Sequence, residues 1–363
     1  MKRFQIPILS TSLLGFCFLS GLDGPPANAD FVFGTPTNLG PTVNTSWQDD
    51  SPTMPADGLS MFFSSTRLGG IPLYDLFVIT RETLEDEWSA PVNLGPPVNT
   101  EGVDVNPSIS ADGLTLVFGS NRPGGSGGIS DIWMTTRETK DAPWADPENL
   151  GPLVNSPYDE WTQGISADAL ELYFGSNRPG GAGGDDLWVT TRATTQSAWG
   201  PPVNLGPTDN SPYADLEPVI SPDGLCLMFW SVRPGGYGSR DIWITTRASR
   251  NDTWRTPINP GPPLNSPKQD QPHYLSPDGS VLYFSSNQPG GYGVLDIWQA
   301  PIRPVCDFNS DGQVDLVDVF IMLEHWCTDY PLGDPLYDIG SMPWGDGLVE
   351  ARDLIVLAEH MVE

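Results

Sequence analysis

Five aspartates, Asp57, Asp112, Asp168, Asp223 and Asp278, lie 55, 56, 55 and 55 residues apart, each in a phrase of the type S-[AP]-D-G, worn down to PADG and SADA in two copies. An apolar alternation follows each one: LSMFF, LTLVF, LELYF, LCLMF and SVLYF. A glycine-rich phrase comes next, as in SNRPGGSGG from Ser120, then an Asp-led strand such as DIWMTTR and a stretch of the type W-x-x-P-x-N-L-G-P. A beat of this length with four short β-runs per unit, parted by turn residues, predicts the blades of a β-propeller. Glycine (39) and proline (38) together exceed a fifth of the 363 residues, which suits a turn-dense all-β chain.

The outermost strand is the telling one. Trp88, Trp144, Trp199 and Trp254 open four copies of it for five units, and the fifth unit runs from DIWQAPIRPV into something else. The missing copy stands at the other end of the array, where Phe33 begins FGTPTNLGP. The expectation is a five-bladed ring over residues 30–303, closed by its own N-terminal strand, which removes the sheet edges an open array would expose. The phrase SPDG-x-x-L-Y-F-S-S-N-R-P-G-G-x-G-x-x-D-I-W resembles the WD-like repeat of TolB-type β-propellers. That family holds binding modules, scaffolds and a few enzymes, so the resemblance implies a fold more than an activity.

The glycine phrase falls between the second and third strands of each unit, a hairpin position, and a strand rather than a helix follows it. It reads as a corner and not as a phosphate cradle. Three polar series recur beside it: Arg67, Arg122, Arg178 and Arg233, with Gln288 in the fifth unit; Asp49, Asp104, Glu160, Asp215 and Asp270; and Asp75, Asp131, Asp186, Asp241 and Asp296. Two readings of the arginines and the Asp49 series stand side by side. One is a clip of Arg–carboxylate pairs repeated by symmetry. The other is an acidic ring at the channel mouth that binds a cation or a sugar. Trp47 and Trp161 break the repeat pattern, and Tyr158, Tyr213, Tyr237, Tyr292 and His273 are expected on the same face. The expected ligand-binding face is therefore Trp47, Asp49, Asp104, Glu160, Trp161, Asp215, Asp270 and His273, for a carbohydrate or a peptide. The in-phase Trp133, Trp188, Trp243 and Trp298 are expected to pack blade against blade. No catalytic residue is assigned, because carboxylates made equivalent by a repeat do not separate into an acid and a base.

After Arg303 the beat stops. Asp307, Asn309, Asp311, Gln313, Asp315 and Asp318 stand at positions 1, 3, 5, 7, 9 and 12 of a loop with Gly312 at position 6, an EF-hand-like calcium cage. LVDVFIMLEHW follows with helical spacing. A degenerate second copy offers Asp338, Asp346, Glu350 and Asp353 before LIVLAEHM. Two loop–helix halves resemble a type I dockerin over residues 304–363. The resemblance implies calcium as cofactor, a cohesin-like protein module as partner and a setting in polysaccharide catabolism. Leu316, Val317, Ala351 and Arg352 occupy its usual docking positions in place of Ser-Thr pairs.

Lys2 and Arg3, an apolar run from Ile6 to Leu22 and Ala27-Asn28-Ala29 compose a secretory signal peptide over residues 1–29. The expected destination is extracellular or cell-surface, with the periplasm as the alternative, and no membrane insertion after cleavage. With 17 basic and 46 acidic residues the formal charge is −29, which excludes nucleic acid as a partner. Cys306 and Cys327 are candidates for a disulfide, and Cys226 for a buried thiol. The chain reads as a non-catalytic binding or scaffold propeller tethered through a calcium-folded module. The alternative is a glycoside-active enzyme using carboxylates at the channel mouth.

Overall fold

A computed structural model describes residues 31–68, 74–304, 316–324 and 357. Two short N-terminal strands, β1 (Phe31–Phe33) and β2 (Thr37–Asn38), precede five sheets. Blade one is β3 (Asp49–Thr53), β4 (Ser60–Ser65), β5 (Asp75–Thr80) and β6 (Val92–Asn93). Blade two is β7 (Asp104–Ile109), β8 (Thr115–Ser120), β9 (Asp131–Thr136) and β10 (Glu148–Asn149). Blade three is β11 (Glu160–Ile165), β12 (Glu171–Ser176), β13 (Asp186–Thr191) and β14 (Val203–Asn204). Blade four is β15 (Asp215–Ile220), β16 (Cys226–Ser231) and β17 (Asp241–Thr246), with Ile258 bridged to Ile244 where a fourth strand would lie. Blade five is β18 (Asp270–Leu275), β19 (Val281–Ser286) and β20 (Asp296–Pro304). All strands within a blade pair antiparallel in sequence order, a five-bladed propeller.

The ring closes as its count of strands requires. β1 pairs with β20 in the register Phe31↔Pro304 and Phe33↔Ile302, and β2 pairs with the same strand as Thr37↔Gln299. Phe31 and Phe33 are buried in one apolar cluster with Phe284, Trp298 and Ile302. The in-phase tryptophans pack between blades: Trp133 lies with Phe62 and Leu76 of blade one, and Trp188 with Val117 and Ile132 of blade two. Trp243 packs on Tyr173 and Leu187 of blade three. Each seam is thus a small core of its own, formed from facing sheets.

The glycine phrase serves these seams. A Cβ on Gly128 would come 2.0 Å from the Tyr158 carbonyl, one on Gly183 2.5 Å from that of Tyr213, and one on Gly293 2.2 Å from that of Trp47. Each of these glycines lies against the loop leading into the next blade. The phrase turns a corner and lets the neighbouring backbone approach.

Beyond the ring, α1 (Leu316–Glu324) occupies the span where the sequence pattern places a helix after the first calcium loop. The calcium ligands Asp307, Asn309, Asp311, Gln313, Asp315, Asp338, Asp346, Glu350 and Asp353 lie outside the described residues, as do the signal segment, Cys306 and Cys327; of Asp318 only the helical backbone is described. Among the described residues no helix is long and apolar enough to cross a membrane. Cys226 is a buried free thiol, pushed well up by that burial.

Candidate functional site

The repeated carboxylates are clips. Asp49 has no exposed surface; one oxygen accepts from the N–H and hydroxyl of Thr45 at 2.5 and 2.8 Å, the other from Ser65 Oγ at 2.6 Å and Arg67 Nη2 at 2.5 Å. Arg67 also donates to the Val43 carbonyl and stacks over Phe63. Asp104 with Arg122, Glu160 with Arg178 and Asp215 with Arg233 repeat the arrangement, all three carboxylates fully buried. Blade five has Gln288 in the arginine's place, and Asp270 keeps only its serine partners, Ser266 and Ser286, among the described residues. Burial pushes the Glu160 and Asp270 carboxyls above their ordinary values against these hydrogen bonds. The expected acidic ring of Asp49, Asp104, Glu160, Asp215 and Asp270 is therefore corrected: these groups face into their own loops, and their hydrogen-bonding capacity is taken up there.

Beside each clip stand two positions that the repeat does not fix. The position after the clip carboxylate holds Asp50, Val105, Trp161, Leu216 and Gln271, and the next holds Ser51, Asn106, Thr162, Glu217 and Pro272. The scaffold positions repeat, and these do not. Each innermost strand is bulged at this level: the register breaks between Asp50 and Thr53, Val105 and Ser108, Thr162 and Gly164, Leu216 and Val219, and Pro272 and Tyr274. Ser51, Asn106 and Glu217 take positive φ of 56, 53 and 55°, each immediately before a proline. A left-handed conformation at a side-chain-bearing residue is costly, and doubly constrained before proline. Bulges of this kind re-aim side chains.

The re-aimed groups meet across blades. His273 Nε2 lies 3.0 Å from Asp50 Oδ1, which also accepts the Ser51 N–H at 2.8 Å, and Ser51 Oγ donates to Asn106 Oδ1 at 3.1 Å. Burial pushes the Asp50 carboxyl up, but the hydrogen bond and charge of His273, with Ser285 and the Ser51 N–H, outweigh it and hold the group below its ordinary range. Glu217 moves the other way. Burial, with Asp50 beside it, drives its carboxyl up to about 7 against the pull of His273, Arg240 and Trp230. Its Oε2 has no hydrogen-bond partner among the described residues. Tyr74, whose hydroxyl meets Gln48 Oε1, and Arg240, stacked over Trp230 at 4.5 Å, bring their charge or dipole to the same cluster from the loop side. His273 is thus corrected too: its side chain is fully buried at the axis and not displayed on the loop face.

The other expected residues keep the loop face. Trp47 is 46% exposed and Tyr292 51%, and Tyr158, Tyr213 and Tyr237 are exposed as well, while Trp161 is half-buried. The backbone of Val294, two residues past Tyr292, donates to the Trp47 carbonyl at 3.0 Å. The seam between blades five and one therefore carries two exposed rings. Sequence reasoning missed Asp50 and Glu217, although one signal was available: each sits within two residues of a strictly repeated carboxylate at a position where the five copies disagree.

No protein-family model and no curated protein sequence matches the chain. Among solved structures it is similar to TolB from Acinetobacter baumannii at 13% identity and a TM-score of 0.43, over 69% of this chain and 53% of that one. It is similar to the α-L-arabinofuranosidase PaAbf62A from Podospora anserina in complex with cellotriose, at 15% identity and a TM-score of 0.46, over 77% of this chain and 99% of that one. A thermostable family-43 glycoside hydrolase is similar at 13% identity and a TM-score of 0.48, over 74% and 92%. The chain spans about half the length of the Acinetobacter TolB.

Proposed function

We propose that the chain is an exported binding propeller that takes a carbohydrate or peptide on its loop face and is tethered by its C-terminal module. The observation that carries this is the pair Trp47 and Tyr292, exposed together on the seam between blades five and one, with Tyr158, Tyr213 and Tyr237 exposed at the matching positions of other blades. Exposed rings on a rigid rim supply contact area at small entropic cost. The test is a glycan and peptide array with the full chain, followed by Trp47→Ala and Tyr292→Ala. Binding without turnover, weakened about tenfold or more by either change, is the expected result. A purely structural propeller would leave the array silent.

The tether reading rests on the loop Asp307 to Asp318 and on the helix α1 that follows it. Calcium would be held there by oxygen ligands, and a small domain of that kind folds with its metal. Chelation should abolish a small cooperative transition and leave the propeller's melt in place. A calorimetric trace unchanged by chelator would remove the calcium module. The wider setting, docking onto a cohesin-like partner in a polysaccharide-degrading or cell-surface assembly, is what the resemblance of these loops to a type I dockerin implies.

A second reading, a glycoside-active enzyme, is favoured by one specific observation: Asp50 and Glu217 are shifted in opposite directions, the ionised and protonated pair that glycoside hydrolysis needs. Turnover of aryl glycosides that disappears in Glu217→Gln would support it. Absence of turnover across a substrate panel would leave the binding reading.

A further inference from the structure

Below the axial cluster, toward the S-[AP]-D-G turns, the channel widens into a cavity of about 120 Å³. Each blade contributes one apolar wall residue, Met54, Ile109, Ile165, Ile220 and Leu275, and His273 is its main polar group. The second residue of each S-[AP]-D-G phrase, alanine in three blades and proline in two, forms the rim. Its walls are mostly apolar, which suits a short aliphatic stem.

The floor of this funnel is the bulge ring. Thr53, Ser108 and Val219 line the cavity, and Ser51, Asn106 and Glu217 stand two residues earlier on the same strands, across the bulge. The funnel is therefore capped by the polar cluster of Asp50, Ser51, Asn106, Glu217 and His273. That cluster contains a buried carboxylate oxygen, Glu217 Oε2, which no group among the described residues satisfies, on a side chain only 9% exposed. Leaving such an atom bare costs about 1–3 kcal/mol, and holding its backbone at φ 55° before Pro218 adds to that cost. Nothing in the packing of the blade requires it, since the equivalent positions hold Ser51, Asn106 and Thr162.

We propose that the channel is a second binding site, distinct from the loop face, for a small amphipathic ammonium: a primary amine on a short apolar stem, its charged head against Glu217 and Asp50 and its stem in the funnel. An ammonium donates three hydrogen bonds and accepts none, which matches a floor of carboxylate and amide oxygens. The apolar walls bury the stem at about 25 cal/mol per Å². A chain of formal charge −29 concentrates cations at such a mouth. The groups facing Glu217 are His273 from β18, Asp50 from β3, Arg240 from the loop before β17 and Tyr74 from the loop before β5. Of these Arg240 alone carries a fixed positive charge, and its guanidinium lies over Trp230.

The experiment is calorimetric titration of the full chain with n-butylammonium chloride, n-butanol and sodium butyrate at pH 8.5 and 5.5. The amine remains protonated at both, so the change in affinity reports the protein. Butylammonium is expected to bind at pH 8.5, about tenfold or more weaker at pH 5.5 where Glu217 is protonated, and the alcohol and the acid not to bind. Glu217→Gln should lose at least tenfold at pH 8.5 and flatten the pH dependence, and Asp50→Asn should weaken binding while the melting transition confirms a folded ring. Trp47→Ala should leave the amine untouched, which separates this site from the loop face. Equal binding of butanol and butylammonium, no binding of the amine, or an undiminished affinity in a folded Glu217→Gln protein would each overturn the proposal.

Discussion

Asp209 and Gln288 are the two places where a single residue departs from the clip and stability answers for it. Asp209 occupies the position that is Val43, Val98, Val154 and Leu264 in the other blades, and it is as buried as they are, 1% exposed. Its carbonyl takes the Arg233 guanidinium, while its Oδ1 has no partner among the described residues. Burial pushes its carboxyl up to about 7, with Asp215 adding to and Arg233 opposing the shift. An acid whose folded value exceeds its unfolded one costs nothing below about pH 4; the cost grows as pH rises and is complete above about 7. Asp209→Leu should therefore raise the melting temperature more at pH 8.5 than at pH 5, with a gain of a few kcal/mol at the alkaline end. A gain equal at both pH values would mean the carboxyl is ionised throughout. Gln288→Arg is the complementary change. It gives Asp270 the cation its four counterparts have, over a floor of Phe284 and Trp298 like those beneath Arg233. The restored charge-assisted bonds should contribute about 1.5–3 kcal/mol, read as a higher melting temperature in a two-state denaturation of the ring.

At the scale of the strand and turn, the glycine phrase gives the sharpest contrast between neighbours. A Cβ at Gly183 would lie 2.5–2.8 Å from the backbone of Ser211, Pro212 and Tyr213 in the next blade, whereas at Gly184 it would meet nothing within 4 Å. Gly183→Ala should cost about 1–3 kcal/mol by prising the seam between blades three and four, and Gly184→Ala should be neutral or slightly stabilising. Parallel melting curves of the two variants decide it; equal losses would place the constraint in the turn itself and not in the seam. The element order, the blade count, the closing strand and the role of the in-phase tryptophans were all legible in the sequence, because period and alternation follow directly from what a blade must bury. The axial site was not. Asp50 and Glu217 reach the channel only through bulges, and a bulge depends on one extra backbone residue that period-2 patterning does not register. For Asp49 and its counterparts the sequence offered two readings, a clip and a ring at the mouth, and the structure bears out the clip. The serine partners Ser65, Ser176 and Ser286, which complete the clip, were the part that the pattern did not single out.

At the scale of the whole molecule, the ring of five similar sheets is closed where the first residues lie along the last blade. Blade five is unlike the other four because its outer strands come from the far end of the chain. β1 and β2 both lie along β20, Asn38 donates to Asp296, and Asn44 takes the Ile297 carbonyl and supplies its N–H with an acceptor at 2.9 and 2.8 Å. Phe31 and Phe33 add buried apolar surface to the same cluster. Residues 31–44 thus act as a clasp whose own secondary structure is negligible, two strands of three and two residues, and whose binding energy comes from β20. A chain beginning at Thr45 should expose the outer edge of β20 and the face of Trp298, lower the melting temperature of the ring and promote edge-to-edge association. A synthetic peptide of residues 31–44 supplied in trans should restore both the melt and the monomer by strand addition, saturably, and a peptide with Phe31 and Phe33 changed to serine should not. Were the shortened chain to melt as the full one does, with the peptide indifferent, the first and fifth blades would hold each other by their facing sheets alone.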